Sequence, residues 1–158
     1  MAQDRQQDIR YKRSRFSTRL PVDRRYTASH FWTIEKQSGI WQVGMTKFAT
    51  RMLGDLVEFE FKANVGDRVR VGQTIGWIEA FKALTDLYCV IDGVFQGVNP
   101  LLEQDITLVD ADPYGRGWLY RVTGLPEANS VDVDGYVEIL NLTIDKMREN
   151  VGKEDSRG

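Results

Sequence analysis

A chain of 158 residues with an apolar share of 42% suffices for one domain with a core, and its net charge of −2 marks it as neither strongly basic nor strongly acidic. No run of about 18 apolar residues offers a membrane span, and the N-terminus has neither the apolar centre of a signal sequence nor, with Asp4 and Asp8, the acid-free character of an organelle presequence. One cysteine, Cys89, excludes an internal disulfide and a cysteine-rich metal site, and a reducing cytoplasm is the expected compartment.

The charge is unevenly spread. Residues 1–25 hold eight basic groups against three acidic ones, while the remainder holds 13 basic and 20 acidic, a net of −7. Residues 1–22 are polar, aperiodic and basic, and are expected to form a disordered or docking arm. With only Tyr11 and Phe16 among its cations, the arm lacks the interleaved aromatics that stack bases, which argues against a nucleic-acid partner.

Beyond Pro21, "HFWTIEKQSGIWQVGM" reads as two short strands turning at "QSG". "TKFATRML" offers Thr46 as the N-cap of a short helix that Gly54 closes. "DLVEFEF" alternates apolar and acidic residues as a strand does. Gly66-Asp67, Gly72-Gln73 and Asp92-Gly93 mark turns between further short strands, so a small β-sandwich or barrel is expected. Near the C-terminus, Tyr136, Ile139, Leu140, Thr143, Ile144 and Met147 follow helical spacing, which predicts an amphipathic helix ending in a frayed tail.

One stretch resists this procedure. Around "IEAFKALTD", Ile75, Ile78, Phe81, Leu84 and Leu87 recur every third residue, as in a helix, while Gly76 and the β-branched run after Tyr88 favour two strands bent around Phe81-Lys82-Ala83. Pattern alone leaves both open.

The wording of the chain goes further. "VGDRVRVGQTIGWIEAFKALTDLYCVIDGVFQGVN" resembles the lipoyl domain of the glycine cleavage system H protein family, with its VGD-x-V-x-x-G, ES-V-KA-x-SDLY and SG-x-V-x-x-VN motifs. "RRYTASHFW", "VGMTKFATRMLGDLV" and "DPYGRGWLYRV" resemble three more segments of that family, so the likeness runs from about Arg24 to Val122. The resemblance implies a mainly β fold, a lipoyl-domain or barrel-sandwich hybrid of two small antiparallel sheets with quasi-twofold symmetry, with short helices and a C-terminal amphipathic helix. The division it suggests is an arm over 1–22, a lipoyl domain over 23–124, and a helix with its tail over 125–158.

The same resemblance implies that Lys82 sits at a hairpin tip and takes lipoic acid in amide linkage as a swinging arm. The chain would then be a carrier and not an enzyme, with no catalytic and no metal-binding residue. Glu79 matches the family's acid before the lysine and is a candidate recognition group for a lipoate ligase or lipoyl transferase; Asp86 is either that or a hairpin charge. His30 is expected to be packed or hydrogen-bonded, and Tyr114 and Trp118 to lie near the lysine hairpin. Implied partners are glycine decarboxylase, aminomethyltransferase and dihydrolipoamide dehydrogenase, between which the arm would shuttle an aminomethyl group.

Several positions depart from the family's wording. Phe81 stands where a small branched residue is usual, Ala80 replaces serine, and Cys89-Val90 replaces Ser-Pro. These changes near the arm leave a second reading open: a divergent H-protein-like lipoate-binding protein carrying sulfur intermediates with a heterodisulfide-reductase-like complex in sulfur oxidation. Cys89 is then either a core thiol or a partner for exchange with the dithiolane. A third reading is a relay or structural protein whose lysine stays bare.

Overall fold

The computed structural model describes residues 7–157, with side chains described as far as Val151. In chain order the strands are β1 (Asp8–Arg13), β2 (Phe16–Pro21), β3 (Arg25–Tyr26), β4 (Phe31–Gln37) and β5 (Ile40–Met45). Helix α1 (Lys47–Leu53) follows, then β6 (Leu56–Phe61), β7 (Arg68–Val69), β8 (Thr74–Ala80), β9 (Leu84–Tyr88) and β10 (Ile91–Val98). A single 3-10 turn (Pro100–Glu103), α2 (Leu108–Ala111), β11 (Tyr120–Pro126) and α3 (Val133–Arg157) complete the chain.

All pairings are antiparallel. A six-stranded sheet runs β3-β4-β5-β11-β10-β7, a three-stranded sheet runs β6-β8-β9, and β1-β2 pair as a separate hairpin. Among the described residues no sheet closes into a barrel, so the architecture is a sandwich of unequal open sheets. Burial on the strands follows the period of two: in β9 and the residue after it, Leu87 and Cys89 turn inward while Leu84, Asp86 and Tyr88 face out. Val43, Ile75, Ile78, Leu87, Ile91, Phe95 and Val122 join the facing sides of the two sheets in one core. Each such side chain contributes roughly 1.5–3 kcal/mol by leaving water.

A second core lies under the C-terminal helix. Tyr26, Trp32, Phe48, Tyr136, Leu140 and Ile144 meet there, with Tyr26 and Tyr136 stacked at 4.6 Å between centroids. Trp32 donates from Nε1 to the carbonyls of Met45 and Pro113, and its ring lies against Gly44, where a Cβ would stand 2.3 Å from it. Only a glycine admits that approach.

The N-terminal segment is where the fold departs from expectation. Residues 1–6 of the expected arm lie outside the described residues, but from Asp8 it is not free: β1 and β2 form a hairpin around the turn Ser14-Arg15, and Tyr11, Phe16 and Leu20 are buried in the second core. Arg13 holds Asp145 on α3 through two hydrogen bonds of 2.8 Å, and Tyr11 donates to Asn141 on the same helix. Arg10, Lys12 and Arg19 point outward, while Arg13 shares the inner face with Ile9 and Tyr11 and reaches α3 from it. The C-terminal segment, expected to fray, keeps helical backbone to Arg157.

Candidate functional site: the Lys82 hairpin

The stretch that periodicity left undecided is a hairpin. Glu79 pairs with Leu84 across β8 and β9, and Ala80 and Ala83 exchange backbone bonds of 2.8 and 3.3 Å, leaving Phe81-Lys82 as a two-residue turn. The period-three spacing carries no helix because Phe81 and Leu84 are not core residues: they are 82% and 72% exposed. Lys82 is exposed between them.

The turn does not hang free. The Phe81 amide donates to the Asp55 carbonyl at 2.8 Å, and the Lys82 amide to the Leu53 carbonyl at 2.9 Å. Those carbonyls belong to the end of α1, which is itself fixed at both termini. Thr46 accepts from the Ala49 amide as N-cap, and Gly54 closes the helix with φ 80° and ψ −163°, donating to the Thr50 carbonyl. That backbone conformation belongs to glycine. It also makes room, because a Cβ on Gly54 would lie 3.2 Å from Lys82 Cγ. The lysine stem therefore leaves a backbone held by two extra hydrogen bonds and runs over bare glycine toward solvent.

No carboxylate among the described residues lies within ion-pair distance of Lys82. Acids are nonetheless close along the sheet. Glu58 is paired with Glu79, and Glu60 with Trp77, which is paired in turn with Asp86. All four acids are exposed. Like charges directly opposite in a sheet are destabilising, so this face below the tip is held at some cost in stability.

The remaining candidates scatter. Cys89 is 1% exposed, its Sγ 3.1 Å from the Ile91 carbonyl, and burial pushes its thiol up. It follows β9, about 17–20 Å from the tip at strand spacing, and faces the core. His30 is packed: Nδ1 lies 2.8 Å from the Tyr136 hydroxyl, Phe48 covers the ring at 4.8 Å, and burial pushes the imidazole down to about 4. Tyr114 and Trp118 pack against the second core. The Tyr114 hydroxyl accepts from the Lys47 amide at the start of α1, a helix length of roughly 9 Å from the Leu53 end that holds Lys82, and Trp118 carries the Arg121 guanidinium over its ring. The sequence reading missed Leu53, Gly54 and Asp55 as the seat of the tip. Their signal was the "LGD" following a predicted helix, which reads locally as a plain helix stop.

Residues 24–146 match the family model described as glycine cleavage H-protein. The chain belongs to the glycine cleavage H-protein family. A glycine cleavage system H protein of Shewanella frigidimarina (strain NCIMB 400) is 37% identical over 125 residues, which cover 77% of this chain and 96% of that protein. Another, from Shewanella sp. (strain ANA-3), is 35% identical over the same length. Among solved structures, a glycine cleavage system H protein from Mycobacterium marinum superposes with a TM-score of 0.68 at 33% identity, covering 75% of this chain and 97% of that one. H proteins are lipoyl carriers and not themselves catalysts. The match leaves out the β1-β2 hairpin and the last part of α3.

Proposed function

We propose that Lys82 carries a lipoyl group in amide linkage and that the chain is the swinging-arm carrier of a glycine cleavage system. It would pass between glycine decarboxylase, aminomethyltransferase and dihydrolipoamide dehydrogenase in the cytoplasm, after loading by a lipoate ligase or lipoyl transferase. The observation that carries this reading is the exposed Lys82 at the apex of a turn whose two amides are both tied to the end of α1. When bound, the lipoyl group supplies a dithiolane on a long apolar tether, which accepts a transferred group as it is reduced.

The protein's own residues do the rest. The rigid turn presents the amine clear of the body, so a ligase and later partners can surround it. Exposed Phe81 and Leu84 give those partners apolar footing. Amide formation removes the lysine charge, which lets the arm enter an apolar pocket. Glu79, one strand position from the turn, is placed to meet a cationic group of the ligase. Its neighbour Glu58 strengthens that field. A buried thiol and no other cysteine suit a reducing compartment.

The sulfur-carrier reading rested on changes around the arm. Cys89 faces the core at the far end of β9, and no observation here favours sulfur cargo over carbon. The test of the carrier reading is intact mass after incubation with lipoate, ATP and a lipoate ligase. One added lipoyl group is expected on the natural chain and none on Lys82→Ala. An unmodified natural chain, with a known carrier domain modified in the same mixture, would refute the reading. Glycine–bicarbonate exchange by glycine decarboxylase with the modified chain then tests the cargo, and absence of exchange would remove the glycine assignment.

A further inference from the structure

A groove of about 650 Å³ opens between the Ser14-Arg15 turn, α1 and α3. Its walls have a definite spacing. From α3 come Ile144, Met147, Arg148 and Val151, at i, i+3, i+4 and i+7; from α1 come Phe48, Arg51 and Met52, at i, i+3 and i+4. Each helix thus turns one face toward a common trough, and Phe16 of β2 lies between them. Met52, Met147 and Val151 are exposed there, though apolar. Two helical stripes flanking a trough are the seat that a third helix fills with its own i, i+3 and i+4 side chains. Methionine on both walls lets such a seat adapt to its occupant.

The rim fixes the charge of that occupant. Arg15, Arg51 and Arg148 border the groove, and none forms an ion pair among the described residues. The Arg51 guanidinium sits 5.9 Å from the centre of the Phe16 ring, over the apolar floor. The place is informative too. Met52 lies two residues before Gly54, so one end of the groove adjoins the backbone that seats Lys82. Most of the remaining wall falls outside residues 24–146, so the groove is not part of what the family match describes.

We propose that this groove docks an amphipathic helix of a partner enzyme, with apolar residues at helical spacing on one face and Asp or Glu along its flanks. Its position beside the tip would orient the partner toward the arm, and that role rests on the carrier reading. Binding itself does not, and is measured without any lipoyl group.

The chain's four methionines make the measurement direct. With methyl-labelled methionine in the full chain, Met52 and Met147 report on the groove and buried Met45 on the core. The probe is a synthetic peptide of about 18 residues, five helical turns, with Leu at i, i+3, i+4 and i+7 and Glu on the remaining faces. Saturable shifts of Met52 and Met147 are expected, with Met45 unmoved and a Kd below about 1 mM. Arg51→Glu with Arg148→Glu is expected to weaken binding about tenfold or more, while Lys82→Ala leaves it unchanged. If Met45 shows the double variant to be misfolded, Arg15→Glu at the exposed turn carries the comparison. No saturation by about 1 mM, equal binding of a peptide with its leucines moved out of phase, or indifference to the arginine reversals would each overturn the proposal. A chain that binds the peptide yet takes no lipoate would keep the groove and lose the carrier reading, and the converse result would do the reverse.

Discussion

His30 and Phe81 show two ways in which a single residue departs from what its type suggests. His30 is a titratable group that the fold keeps neutral. Burial lowers its imidazole to about 4, so the unfolded chain, near the ordinary 6.5, binds the proton first as the pH falls. The stability it supplies is therefore fully present above about pH 6.5 and is lost progressively down to about pH 4, at most about 3 kcal/mol in all. His30 also has φ 70°, a conformation that asparagine tolerates. His30→Asn is therefore expected to flatten the fall in unfolding free energy between pH 6.5 and 4, measured by urea titration at a series of pH values. An unchanged slope would mean that the folded protein takes up the His30 proton as readily as the unfolded chain does. Phe81 is the opposite case, a large apolar side chain left in water. Truncating it to alanine should change stability by less than about 0.5 kcal/mol, yet lower the partner-dependent rate of the modified chain severalfold. Equal rates for Phe81→Ala and the natural chain would remove Phe81 from the docking surface.

At the scale of elements, the decisive junction is between the end of α1 and the β8-β9 turn. The tip owes its fixed direction to the carbonyls of Leu53 and Asp55, and those carbonyls are presented by a backbone conformation that only glycine adopts readily. Gly54→Ala should therefore cost about 1–3 kcal/mol and, by pressing on the Lys82 stem, slow lipoylation as well. Thermal unfolding and ligase kinetics on one sample check both effects. A loss of stability with unaltered ligase kinetics would show that the seat supports the fold and not the presentation of the lysine. Helix α1 itself was legible, because Thr46 and Gly54 bracket it in sequence as they do in space. The lysine turn was not legible from periodicity, since its exposed apolar residues happen to fall three apart; the family's wording placed it. The β1-β2 hairpin was hidden for another reason. Ile9 and Tyr11 on β1, and Phe16 and Leu20 on β2, share the inward face, but each six-residue strand offers only two such residues among so many basic and polar ones that net charge dominated the pattern.

At the scale of the whole molecule, the two cores divide the work. The core between the sheets holds the lysine hairpin, and the core under α3 holds the N-terminal hairpin, α1 and the strand end at Trp32. Helix α1 borders both, through Leu53 in one and Phe48 in the other, so the seat of Lys82 depends on each. This makes the N-terminal hairpin a structural part of the protein despite lying outside the family match. Leu20, 1% exposed, tests that directly. Leu20→Ala removes a filled volume from the second core and is expected to cost about 2–5 kcal/mol. Arg13→Ala only breaks an exposed ion pair to Asp145, for which a much smaller fall in unfolding temperature is expected. Denaturant titration of the two variants beside the natural chain separates the cases. If Leu20→Ala proves no more damaging than Arg13→Ala, the hairpin is held by charge at its surface and the second core closes without it. If Leu20→Ala carries the larger cost with a single cooperative transition, the hairpin unfolds with the body, and the groove it walls is as permanent a feature of the protein as the lysine tip beside it.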